Sequence, residues 1–459
     1  MRPAGARAHL LDDPRPIWKV MALFLVPLMI SNVLQALSST TSSVYLGRLI
    51  GVHALAAVSA IFPIIFLLIS FIIGLASGST VLIGQAYGAR DYVKLKEIAG
   101  TTLSLSVMLA VAVGLIGGFF SEDLLRLLGT PPDILATSAS YSQIVFFTMP
   151  VLFVYVIYTT FLRGTGDTQT PLYSLVLATI LALVITPFFI LGWLGLPRLE
   201  TNGAAVANVL SNALALAALL IYLARTKNPL AFDREMLAHL GIRWDLAWKI
   251  VRIGVPTAIN VIMVSLSEIA VLSFVNRFGS NATAAYGAVN QIVSYVQFPA
   301  ISIGIAVSIF GSQAIGAGAL ERIGKIVRTG VVLNYAIEGV LILLCYALSW
   351  HIISLFIVDP KTVAIAQRLL HITLWSYVIF GNARVLAGMM LASGAVVWPT
   401  VFSIVSIWGV EVPVAYVLMQ RIGIDGIWYG YPAAFIAGLI MQLTYYKLFW
   451  KRRPLKRLV

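Results

Sequence analysis

Hydrophobic residues fall along this chain in long blocks, not in the short alternating runs of strands. Twelve blocks stand out, at about 17–45, 54–82, 97–120, 135–162, 170–196, 203–224, 248–276, 282–314, 323–350, 363–392, 397–420 and 426–448. A run of roughly 20 apolar residues matches the hydrocarbon thickness of a bilayer, so each block predicts a membrane-spanning helix. The alternating ten-residue pattern of an outer-membrane barrel is absent from the sequence. An all-α integral membrane fold is therefore expected. Residues 1–16 are polar and show no cleavage-site pattern, so the first block is expected to stay as an anchor.

Composition supports this reading. The chain is 60% hydrophobic and 11% charged, whereas soluble domains carry roughly 25% charged residues. Such a chain cannot cover a water-facing surface. A net charge of +13 would suit nucleic acid, but its distribution points elsewhere. With the N-terminus placed inside, 24 of the 31 Lys and Arg fall in predicted inside segments. The other 7 are Arg48, Arg126, Arg198, Arg277, Lys361, Arg368 and Arg421. This positive-inside bias predicts a multi-pass protein of the cell (inner) membrane with both termini cytoplasmic. The basic tail KRRPLKR (451–457) is expected to meet anionic lipid headgroups, with no nucleic-acid partner. The single cysteine, Cys345, lies in an apolar block and reads as a small buried hydrophobe.

An internal repeat organises the blocks. Pro27 aligns with Pro256, and Arg48 in LGRL (46–49) with Arg277 in VNRF (275–278). GQAYGA (84–89) falls opposite SQAIGA (312–317), and RGTGDTQTP (163–171) opposite LASGAVVWP (391–399). Each half holds six spans, an even number, so both halves start on one side and form parallel repeats. The expected division is an N-terminal segment (1–16), a six-helix lobe (17–224), a linker (225–247), a second lobe (248–448) and a basic tail (449–459). Two such lobes can enclose a cavity whose opening alternates between the two sides. GAGALERIGKI (316–326) lacks the spacing of a phosphate loop, and neither a nucleophile elbow nor a zinc-type histidine pair occurs. No cofactor and no enzyme chemistry are expected, and an ion gradient is left as the driving force.

The 6+6 layout, GQAYGARD (84–91), LRGTGDTQTP (162–171), AAYGAVNQI (284–292) and SQAIGAGA (312–319) together resemble the multidrug and toxic compound extrusion (MATE) family, in its bacterial NorM/DinF-like form. The resemblance spans essentially the whole chain. It implies a V-shaped pair of lobes that exports organic, often cationic, compounds in exchange for protons or sodium ions.

Helical spacing shows which polar groups share a face. Asn32, Gln35, Ser39 and Ser42 form a stripe on the first span; Asn208, Ser211 and Asn212 one on the sixth. Asn260, Ser267 and Glu268 line up on the seventh, and Tyr286, Asn290, Ser294 and Gln297 on the eighth. Such stripes avoid lipid, so they line a cavity or bond to a neighbouring helix. Tyr295 and Phe298 on the eighth span, with Trp375 and Tyr377 on the tenth, could meet organic cations through their π faces.

Three carboxyl groups lie deep in spans: Glu268, Glu338 and Glu411. Burial favours the neutral form of such a group, which can then load and release a proton. The resemblance places Glu268 at the family's seventh-span acidic coupling position. Glu411 precedes Pro413, whose ring leaves a carbonyl free for it to bond, so both a structural and a coupling role stay open. Glu338 follows Asn334 by four residues and can simply bond to it. Family members commonly carry an Asp where Ser42 stands, and sodium-coupled members another where Ala395 stands. Asp167, the repeat partner of Ala395, falls in a predicted loop beside Arg163 and reads as turn structure. These departures weaken a sodium site, in which Glu268 would be the metal ligand, more than a proton site. Proton antiport of organic, cationic or amphipathic compounds by a monomer is the expected function. A sodium-coupled antiporter is the alternative, as is a flippase for a lipid-linked precursor. The flippase would need a strongly cationic cavity, and only Arg252 and Arg384 approach mid-span.

Overall fold

A computed structural model of the chain describes residues 10–195, 197–357 and 359–459. Within them it describes every side chain except those of Ser39, Thr40, Ser43, Val52, Leu55, Pro63 and Leu194. The described residues form helices and no strand. Eleven helices among them are long and apolar enough to cross a bilayer, and the bent pair Pro132–Phe147 and Met149–Gly164 brings the number to twelve. The first three spans are Ile17–Leu49, Val52–Ala60 with Phe62–Gly88, and Tyr92–Phe119. After the bent fourth come Gln169–Leu191, Thr201–Arg225, Trp244–Asn276, Ser280–Ala317 and Ile323–Ala347. The tenth is Pro360–Thr373 with Tyr377–Ala392, the eleventh Val397–Ser406 with Val412–Ile422, and the twelfth Gly430–Leu448.

Prolines explain two of the interruptions. Pro150 cannot donate the next ladder hydrogen bond, and the fourth span bends by 49° just before it, at Thr148. In the eleventh span a π-turn, Ile407–Glu411, precedes Pro413 and absorbs the clash of its ring.

The chain divides into two compact units, residues 30–254 and residues 10–29 with 255–459. The division therefore falls inside the first and seventh spans, not at the expected boundaries of lobes 17–224 and 248–448. Packing gives the reason. Val20, Met21, Phe24, Leu25 and Leu28 join Phe310, Met389 and Tyr446 in one buried cluster of the second unit. Phe24 meets Phe310 edge-on at 5.6 Å. In the first unit, a Cβ added to Gly254 would stand 2.8 Å from the Gly74 carbonyl oxygen, so the start of the seventh span touches the second backbone to backbone.

The expected linker is also part of the first unit. Lys96 bridges Asp233, at 2.9 Å, and Glu235, while Glu97 pairs with Arg243. The expected terminal segments are not separate either: Leu10, Leu11 and Leu455 pack against the second unit's cluster. Arg322 donates to the Leu11 carbonyl at 2.5 Å.

Candidate functional site

The second unit gathers its acidic and phenolic groups in one place. Glu268 Oε2 accepts the Tyr286 hydroxyl at 2.5 Å and the Tyr431 hydroxyl at 3.3 Å, and the two phenol oxygens lie 3.0 Å apart. The Tyr286 ring stacks on the fully buried Trp428 indole, with centroids 5.9 Å apart and planes 10° from parallel. That stack fixes the direction of its hydroxyl. Glu411, on the π-turn, is buried and faces Glu268. The approach depends on Gly430 of the twelfth span, where a Cβ would lie 2.8 Å from the Glu411 carbonyl oxygen. Tyr377 faces both carboxyl groups and meets Gln297, while Asn290 reaches the Tyr286 hydroxyl.

Local structure accounts for the convergence. Tyr286, Asn290 and Gln297 stand four and seven residues apart on one unbroken helix, Ser280–Ala317, and so share a face. Glu268 presents its carboxyl group to that face from the seventh span. Among the described residues no ion pair reaches either Glu268 or Glu411. The arrangement can therefore take up and release a positive charge.

Other expected site residues are engaged locally. The Ser267 hydroxyl donates to the Val264 carbonyl at 2.7 Å, and that of Ser294 to the Asn290 carbonyl at 2.7 Å. Tyr295 packs edge-on against Phe298 at 5.8 Å, and Asn260 is half-buried on the seventh span. In the first unit Asn32 is half-buried and Gln35 exposed, and the Ser39 side chain lies outside the described residues. Asn212 donates to the carbonyl and the Oδ1 of Asn208, both at 2.9 Å, so this pair closes on its own helix. The Ser42 hydroxyl donates to the Ser38 carbonyl at 3.2 Å. It borders a narrow pocket with Thr41, Tyr45, Thr179 and Thr186 that no carboxyl group lines. Asp167 Oδ1 accepts the backbone N–H of Thr170 at 3.0 Å, which is turn structure.

Two members of the cluster, Tyr431 and Trp428, escaped the sequence reading. Their only signal is WYGYP (428–432), a glycine set among aromatics at the start of a span.

The MatE family matches residues 27–188 and again residues 256–417, two stretches 229 residues apart. The probable multidrug resistance protein YoeA of Bacillus subtilis (strain 168) is 51% identical over 445 residues, 96% of each chain. The multidrug export protein MepA of Staphylococcus aureus (strain NCTC 8325 / PS 47) is 24% identical over 444 residues, 95% of each. The crystal structure of the Vibrio cholerae MATE transporter VcmN shares the fold, with a TM-score of 0.87 at 20% identity, over 95% of this chain and 98% of that one.

Proposed function

The chain belongs to the MatE family, and on that premise we propose that it exports organic cations and amphipathic compounds by proton antiport. The cluster around Glu268 is the coupling site. A proton loaded there is exchanged for substrate as access alternates between the two faces of an inner membrane, with both termini cytoplasmic. The protein acts as a monomer.

One observation carries the reading. Glu268, inside an apolar span, is held by two phenol hydroxyls and faced by Glu411, and among the described residues no Lys or Arg pairs with either acid. Positive charge must then come from outside the protein, as a proton or as a cationic substrate. The names of the relatives, a multidrug resistance protein and a multidrug export protein, support an organic substrate.

Sodium is a second reading, favoured by the same geometry: Glu411 supplies a second carboxyl oxygen donor beside Glu268. Purified protein in vesicles loaded with ethidium distinguishes the two. A pH gradient alone should drive transport, a sodium gradient alone should not, and Glu268→Gln should lose the response. Transport on sodium alone would overturn proton coupling. A lipid-linked sugar that stimulated ion flux as ethidium does would favour a flippase.

A further inference from the structure

The ninth span carries another buried carboxyl group, which the Glu268 cluster does not use. Glu338 is fully buried, and neither carboxyl oxygen receives a hydrogen bond from the described residues. Asn334, one helical turn earlier, is equally buried. Its amide nitrogen donates to the Val378 carbonyl at 2.9 Å and to Asn382 Oδ1 at 3.3 Å. Both amide hydrogens are thus committed, the amide cannot flip, and Asn334 Oδ1 remains an acceptor without a donor.

Gly381 of the tenth span makes the room for these oxygens. A Cβ there would fall 2.5 Å from Glu338 Oε2 and nearer still to Asn334 Oδ1. Two acceptor oxygens, Glu338 Oε2 and Asn334 Oδ1, therefore flank one buried place, and neither receives a hydrogen bond from the described residues. Arg384, one residue short of a full turn beyond Gly381, lies over the Phe380 ring at 5.9 Å and forms no ion pair with Glu338. One added hydrogen ion satisfies the arrangement, because a neutral Glu338 becomes a donor to Asn334 Oδ1. A metal ion would need a fuller shell of oxygens than Glu338 and Asn334 supply.

The tenth span links this place to the coupling cluster. Tyr377 faces Glu268 and Glu411, and the next residue, Val378, holds the Asn334 amide. A shift of Tyr377 when a cation enters the cluster moves the carbonyl that orients Asn334, and so moves the acceptor of the Glu338 proton. We propose that Glu338, with Asn334 and Gly381, is a second proton-binding site that releases its proton when an organic cation binds. The O–H bond of Glu338 breaks, the proton passes to solvent, and the cation offsets the carboxylate left behind. This inference rests on the exporter reading.

The test counts protons. Purified protein in weakly buffered detergent is titrated with ethidium, and protons released per ethidium bound are read with a pH indicator. Glu338→Gln keeps the size of the side chain and still donates to Asn334 Oδ1, so it should bind ethidium but release one proton fewer. Equal release from wild type and variant would overturn the proposal. Infrared spectra of the Glu268→Gln/Glu411→Gln double variant supply an independent readout. They should show a protonated-carboxyl band that disappears on adding Glu338→Gln; a band that persists unchanged would also overturn it. If Glu338→Gln fails to fold, Asn334→Leu removes the acceptor instead and should shift that band, and an unshifted band counts against the proposal. A wild type that binds no ethidium would sink the exporter reading, and the infrared band alone would then decide whether Glu338 holds a proton.

Discussion

The eighth and tenth spans bring Tyr286, Asn290, Gln297 and Tyr377 to the candidate site, and they cross where Gly388 lies against Gly304. An alanine at 388 would place its Cβ 3.1 Å from the Gly304 carbonyl carbon and closer still to the oxygen. Both groups are backbone, so neither can rotate away, and relief requires the helices to part by roughly 1 Å. A gap of that order forfeits about a quarter to a half of each van der Waals contact it opens. The contacts at risk belong to one buried cluster, which includes Ile303, Val307 and Phe310 of the eighth span and Val385 and Met389 of the tenth. Overpacking of this kind costs about 1–3 kcal/mol, and the better helix propensity of alanine returns at most about 1 kcal/mol. The net expectation is a loss of about 1–2 kcal/mol.

The reciprocal change is the control. A Cβ on Gly304 would meet the Arg384 carbonyl oxygen at 3.2 Å and the Arg384 Cβ at 3.3 Å, which a few tenths of an ångström would relieve. Gly304→Ala should therefore be close to neutral. For a unit of this size 1 kcal/mol moves the melting temperature by roughly 2–4 °C. Gly388→Ala should accordingly melt about 2–8 °C below wild type in detergent, followed by intrinsic fluorescence, with Gly304→Ala at the wild-type temperature. Ethidium export should fall in the first variant only, because the same two helices carry Tyr286, Gln297 and Tyr377. Wild-type melting of Gly388→Ala, or a larger loss in Gly304→Ala, would refute the close-crossing argument.

Two further outcomes follow from groups outside the cluster. Lys96 is 8% exposed while its partners Asp233 and Glu235 are 47% and 58% exposed, so Lys96→Met leaves carboxylates that water can solvate and should cost less than about 1 kcal/mol; the double change Asp233→Ala/Glu235→Ala strands a buried ammonium and should cost about 3 kcal/mol, with faster proteolysis of the segment 225–243. Asp359 caps the helix Pro360–Thr373, and the Thr362 hydroxyl (2.6 Å) and N–H (2.9 Å) hold its carboxyl below the ordinary 3.8. That stabilisation is present above pH 3.8 and is lost as pH falls through the lower folded value, so the melting difference between wild type and Asp359→Ala should be constant above about pH 5 and shrink in acid.

The sequence is legible wherever the bilayer sets the rule. Each span has to be long and apolar, so the twelve blocks were readable to within a few residues. Proline likewise announces its own effect at Pro150 and Pro413. The division into units was not legible, because Val20, Met21, Phe24, Leu25 and Leu28 are apolar whether they face lipid or a core, and composition alone does not distinguish the two. Polar stripes were readable only in part. A serine on a helix can bond the carbonyl one turn back, as Ser42, Ser267 and Ser294 do, so its presence says little about what the face meets. Glutamate in an apolar span has no such local solution, which is why Glu268 stood out. Tyr431 and Trp428 did not, since aromatics of that kind are ordinary at span ends.

The repeat bears on the proposal that coupling resides in one unit. A duplicated helix pattern preserves lengths, breaks and close crossings, but it does not oblige the two halves to keep the same chemistry. Aligned on the repeat motifs, 229 residues apart early and 228 apart from GQAYGA onward, Glu268, Glu338 and Glu411 fall opposite Ser39, Ala110 and Leu183. The first half thus supplies the matching scaffold without a single matching acid, and its pocket beside Ser42 is edged by hydroxyl groups. A hydroxyl on a helix is already bonded and stays neutral, so it can orient a substrate but cannot exchange charge with it. Under the proposed proton antiport, exchange would be concentrated in the second unit. If the proposed antiport holds, the number of protons moved per cycle would depend on how many of three carboxyl groups, all in residues 255–459, give theirs up when a cation arrives.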